Sequence, residues 1–167
     1  MSAAAVENFA AIGAALAKDF HLVGLFGVDA VVNSSGVWPV EVNPRYPASV
    51  EVLERAAAVS AVALHAAACE LDRLPADVET PSGPMSGKAI LFATSRLEIS
   101  AAWTETALEA RHDRRPSMAD IPQAGSVIEA GWPLVTVFAD AVDEKTALES
   151  LRQKAADVAA SVQGNAG

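Results

Sequence analysis

Helix-like and strand-like hydrophobic patterns mingle along these 167 residues, and that mixture predicts an α+β fold. Three observations carry the expectation. Apolar residues recur at three- and four-residue spacing near both ends of the chain, as on one face of a helix. Two Val-rich runs flank the turn cluster Asn33-Ser34-Ser35-Gly36, as in a hairpin of antiparallel strands. Further short apolar runs, punctuated by Gly and Pro, follow in the C-terminal half.

The elements follow in order. From Val6 to Phe20, the residues Phe9, Ile12, Leu16 and Phe20 trace an amphipathic helix. Leu22 to Asn33 reads as a mostly buried strand and Val37 to Asn43 as its partner, ended by Pro44 and Pro47. Ser49 is expected to cap a helix running through Cys69, with Glu51 in its first turn. Ala56, Val59, Val62, Ala63 and Ala66 would form its buried stripe. Pro75, Pro81, Gly83-Pro84 and Ser86-Gly87 crowd the stretch from Leu74 to Lys88. The expected organisation is therefore a first domain at 1–74, a linker at 75–88 and an α/β extension at 89–167. Around and within that extension, Lys88 to Thr94 and Leu134 to Ala139 read as strands, and Ser126 to Ile128 as a shorter one. Asp143-Glu-Lys-Thr opens a last helix to Val162, with Leu148, Leu151, Ala155, Val158 and Ala159 on one face. Arg111 to Pro116 should be charged and exposed, Trp132 should cover the core edge, and Gly164 to Gly167 should fray.

Composition narrows the function. Twelve Lys plus Arg against 21 Asp plus Glu give a net charge of −9, which argues against a nucleic-acid partner, because phosphates need clustered cations. At 51% hydrophobic the chain lies far from the composition of disorder. The longest apolar stretch, Ala56 to Cys69, is too short and Ala-rich for a bilayer. The first residues show neither a basic segment nor an apolar core, so no signal peptide is read there. One cysteine, Cys69, leaves no internal disulfide framework, and a reducing, cytoplasmic setting is expected. Cys69 itself reads as a small buried hydrophobe and His65 as a satisfied or partly exposed helix residue. Ser82 to Gly87 lacks the Gly-Lys-Ser/Thr ending of a phosphate loop.

The informative stretch is the hairpin. Centred on Ser35, it sets Asp29 opposite Glu41 and Ala30 opposite Val40, with Asn43 on the face of Glu41. Two carboxylates and an amide oxygen converge, and directly opposed like charges destabilise a sheet. A divalent cation offsets that repulsion, and an all-oxygen donor set favours Mg²⁺, Mn²⁺ or Ca²⁺ over zinc. Arg45, two residues beyond Asn43, is able to bind a carboxylate or phosphate in bidentate fashion. The other reading of the same residues is a solvated strand face, an Asn-Pro turn and a surface arginine. The pattern alone leaves both open.

Leu22-Val-Gly-Leu-Phe-Gly-Val-Asp-Ala-Val-Val-Asn33, a turn, then Pro39-Val-Glu-Val-Asn-Pro-Arg45 resembles the second half of an ATP-grasp ligase domain. That family pairs a Gly-x-x-Gly-x-(Asp/Glu) strand with a Glu-x-Asn-Pro-Arg motif across a hairpin. The later run from Ala119 to Ala139 is similar to the C-terminal portion of predicted carboligases related to biotin carboxylase, a group that includes ligases of the tyramine–glutamate type. The resemblance implies the C-terminal lobe of an ATP-grasp fold, an antiparallel sheet with packed helices, with a small β-rich extension. It implies that Asp29, Glu41 and Asn43 hold Mg²⁺ or Mn²⁺ beside ATP, Glu41 and Asn43 thereby helping to bind the nucleotide. It implies that Arg45 steadies the transferring phosphoryl group or the acyl-phosphate. The implied reaction joins a small carboxylate to an amine or a thiol.

Those enzymes also carry an ATP-binding lobe with a Gly-rich loop and lysines. Only Lys18 lies upstream of the hairpin here, so the chain is expected to be the C-terminal half of such an enzyme, incomplete and inactive alone. It would pair with the missing half or a partner protein, or self-associate through apolar surface around Leu22 to Phe26 and the Ala-rich helix. The competing expectation is an inactive, partner-binding or regulatory fragment of a split protein.

Overall fold

The computed structural model describes residues 2–71, 84–109 and 115–164. The chain forms two compact units, Met1–Pro81 and Ser82–Gly167. Most of the expected linker, 75–83, lies outside the described residues, as do 111–114 of the expected charged segment and 165–167 of the expected frayed end.

The first unit opens with α1 (Ala3–Phe20), capped by the Ser2 hydroxyl, which accepts from the Ala5 N–H. Phe9, Ile12 and Leu16 are half-buried as expected, but Phe20 is exposed. His21 then turns left-handed, and the Leu22 N–H closes the helix end onto the Ala17 carbonyl. The expected strand at 22–33 is therefore shorter. Gly24 takes a positive φ of 79°, and β1 runs only over Gly27–Asn33. A two-residue turn at Ser34 and Ser35, supported by the Asn33 side chain accepting from the Ser35 N–H, leads into β2 (Gly36–Asn43). Neither strand is mostly buried: only Asn43 is, at 8% exposure.

The single helix expected from Ser49 to Cys69 is two helices, α2 (Val50–Ala57) and α3 (Ala61–Leu71), bent by 98°. Ala58 is the cause: it sits left-handed at φ 52° and stops the i→i−4 ladder. Ser49 makes no side-chain cap bond. The break also resets the helical phase, so Val62, Ala63 and Ala66 are exposed while Ala61 and Ala68 are buried. Among the described residues no single helix is long and apolar enough to cross a membrane; the bent α2–α3 pair passes only on length and composition.

The second unit is built on an antiparallel sheet in the order β3 (Met85–Phe92), β7 (Pro133–Ala141), β5 (Met118–Ala119). β3 begins at Met85, inside the stretch read as linker. A separate pair joins β4 (Leu97–Glu98) to β6 (Val127–Ile128). The core gathers Ile99, Leu134, Val135 and Val162 around Trp103, from the unanticipated helix α4 (Ala101–Glu109). A neighbouring cluster of Val137, Ala139 and Leu151 packs the C-terminal helix α5 (Glu144–Gly164) on the sheet. Asp143 caps α5 by accepting from the Thr146 N–H at 2.7 Å, which holds its carboxyl below the usual range. Ala147, not the expected Leu148, is the buried residue of its first turns. Trp132 is 58% exposed and covers no core; Trp103 fills that place.

Candidate functional site

The hairpin register sets Gly27 opposite Asn43, Val28 opposite Val42 and Asp29 opposite Glu41. Side chains alternate, so Asp29, Glu41 and Asn43 share one face. The buried Asn43 carboxamide joins them: its Nδ2 donates to Asp29 Oδ2 at 3.4 Å, and its Oδ1 accepts from Arg45 Nη2 at 3.0 Å. The amide is oriented by its partners, since the reverse would set oxygen against carboxylate and NH₂ against guanidinium. Asp29, Asn43 and Arg45 are thus joined by hydrogen bonds, and the register sets Glu41 opposite Asp29 on the same face.

Beyond Asp29 the register slips by one residue. Ala30 faces Pro39 and not Val40, which is left over as a bulge. The expected pairing of Ala30 with Val40 is wrong for that reason. On the turn side of the bulge Trp38 faces Val31, two residues from Asp29, and so joins the acidic face, 56% exposed. Its indole N–H donates to Asn33 Oδ1 at 3.4 Å. A two-residue turn at Ser34 and Ser35 by itself sets Trp38 opposite Val31; centring the hairpin on Ser35 concealed it.

Asp29 and Glu41 are exposed, so water screens their repulsion to about 1 kcal/mol at contact distance. Repulsion by itself therefore does not demand a counterion. The donor set is what suits a hard cation: two carboxylates and an amide oxygen on one face. Among the described residues no group of three or more His, Cys, Asp or Glu side chains could hold a metal, so the third donor here has to be the Asn43 amide.

Three further contacts were not legible. His65 Nδ1 accepts from the Leu25 N–H at 3.0 Å, tying α3 to the segment that enters β1. A Cβ on Gly24 would strike that imidazole, so glycine is required there for space as well as for its φ. Cys69, read as buried, is exposed, with its Sγ 3.8 Å from His65 Nε2. Tyr46 donates its hydroxyl to Glu54 Oε2 at 2.7 Å.

No family profile matches the chain. The chain is 27% identical over 133 residues, 80% of its length, to an uncharacterised protein of Methanocaldococcus jannaschii, and spans 30% of that protein. Its structure is similar to that of N5-carboxyaminoimidazole ribonucleotide synthetase from Thermotoga maritima, with a TM-score of 0.61 and 16% identity, over 93% of this chain and 42% of the synthetase. The fold is that of the C-terminal portion of an ATP-grasp enzyme. A carboxyaminoimidazole ribonucleotide synthase from Aspergillus clavatus, solved with ATP, aligns at a lower TM-score of 0.48 with 20% identity, over 83% of this chain and 35% of that one. The chain thus spans less than half the length of each of these proteins.

Proposed function

We propose that this chain supplies the magnesium-holding part of an ATP-dependent ligase that joins a small carboxylate to an amine or a thiol through an acyl-phosphate. The observation that carries the reading is the convergence of Asp29, Glu41 and Asn43 on one hairpin face with Arg45 bonded to Asn43. In this reading Asp29 and Glu41 present carboxylate oxygens, and Asn43 its Oδ1, to Mg²⁺ or Mn²⁺, which when bound neutralises charge on the nucleotide phosphates. Arg45 presents a permanent cation beside them, where the acyl-phosphate forms. The resemblance of the 119–139 run to carboligases of the tyramine–glutamate type favours an amine as the second substrate. The remaining length of the longer relatives would bring the nucleotide lobe.

Two measurements test this. Mn²⁺ titration of the chain, followed by electron paramagnetic resonance, should show binding that Glu41→Gln weakens at least about tenfold with the melting temperature unchanged. ATP-dependent phosphate release, assayed with the chain alone and with the rest of the longer protein, should appear only in the second case, across a panel of amino acids and amines. In that complete enzyme Glu41→Gln should cut turnover by orders of magnitude; near-normal turnover removes the metal role. No release in either arrangement favours an inactive, partner-binding fragment.

A further inference from the structure

Between β2 and α2 the chain passes through Asn43-Pro44-Arg45-Tyr46-Pro47, and the holds on this loop converge on Tyr46. The Arg45 guanidinium donates to Asn43 Oδ1 at 3.0 Å through Nη2 and to the Tyr46 carbonyl at 3.4 Å through Nη1. The Arg45 N–H closes a tight turn onto the Asn43 carbonyl at 2.8 Å. On one side of the Tyr46 carbonyl, the Tyr46 ring is tethered through its hydroxyl to Glu54 on α2. On the other, the Pro47 ring rests on Gly27, where an added Cβ would come within 2.8 Å of Pro47 Cγ. Glu54 is itself anchored: its second oxygen accepts the N–H of Ala61, the first residue of α3, at 2.5 Å. The Tyr46 carbonyl is therefore a fixed acceptor, and it takes the outer half of the arginine fork.

We propose that Tyr46 and Glu54 are positioning residues for Arg45: Glu54 grips the Tyr46 hydroxyl, and the carbonyl so held aims the guanidinium at the acidic hairpin face. An exposed arginine samples many rotamers, whereas a cation meant to meet a developing charge works only when its place is set beforehand. The functional meaning of this device rests on the ligase reading above; the device itself does not. The two carboxylate oxygens of Glu54 serve different partners, which makes the roles separable. Tyr46→Phe removes the grip on the loop and leaves the cap on Ala61. Glu54→Gln keeps an acceptor for Ala61 and offers an amide to the phenol.

The test is ¹⁵N relaxation of the Arg45 Nε–H in this chain, with thermal melting and Mn²⁺ titration alongside. Tyr46→Phe should drop the order parameter of that group below about 0.6 while the melting temperature and Mn²⁺ affinity stay close to those of the unaltered chain. Glu54→Gln should keep Arg45 ordered, and Glu54→Ala should not. An Arg45 signal unchanged in Tyr46→Phe overturns the proposal, and so does a loss of order that merely follows a fall in melting temperature. In the complete enzyme, Tyr46→Phe should lower kcat about tenfold with the KM for ATP little changed. Should Arg45→Lys leave ATP turnover intact, the ligase role of Arg45 fails while the relaxation result still decides the positioning.

Discussion

Tyr46 is the only tyrosine in the chain, so its ionisation can be followed without interference from another phenol. Desolvation raises its pKa above the usual value of about 10, and the hydrogen bond to Glu54 and the nearby acidic charges raise it further. Near-ultraviolet titration of tyrosinate should therefore place the transition well above pH 10. Glu54→Gln should bring it partway back, since burial would remain. The sign for stability follows: a folded-state pKa above the unfolded one makes the phenol's contribution whole below pH 10 and lost as pH climbs beyond it. Tyr46→Phe should flatten that alkaline decline. At this scale the pairing of Asp29 with Glu41 agrees with the expected one, but it depends on the bulge: the two-residue turn alone would set Asp29 opposite Val40, and the extra residue brings Glu41 there. The bond from Tyr46 to Glu54 was not legible, since it depends on the direction α2 takes after the loop.

Helix α2 ends at a residue poorly suited to its conformation. An L-residue in the left-handed region costs on the order of 1 kcal/mol, which glycine avoids at some cost in unfolded-state entropy. Ala58→Gly should accordingly raise the melting temperature by about 1–3 °C, with the bend between α2 and α3 preserved. Gly24→Ala should act in the opposite sense. It combines a φ of 79° with a clash against the His65 ring, and a loss of more than about 1 kcal/mol in denaturant unfolding is expected. A smaller loss would mean that the His65 contact with Leu25 yields easily. The Ala-rich run from Ala56 to Cys69 concealed the break, because alanine favours continuous helix and no Gly or Pro marks the stop. The bulge at Val40 was hidden for a similar reason: a Val-rich strand looks the same with or without an extra residue.

Across the whole chain, the units divide the work of folding and of chemistry differently. The large buried side chains gather in the second unit, on β7 and the helices α4 and α5, while the candidate site lies on an exposed hairpin in the first. Trp103 anchors that second core and donates its indole N–H to Ser161 Oγ at 3.1 Å. Trp103→Ala should cost about 3–5 kcal/mol in denaturant unfolding, whereas Trp132→Ala, at an exposed turn, should cost little. Residue order alone dictated the α+β class, the antiparallel hairpin and the C-terminal strand–helix pair, because each rests on local periodicity and turn chemistry. That Glu41 reaches Asp29 across a bulge, where the Ala-rich helix breaks, which tryptophan fills the core and what holds Arg45 were decided by folding in three dimensions. Those outcomes depend on contacts between residues distant in the chain, which no local pattern encodes.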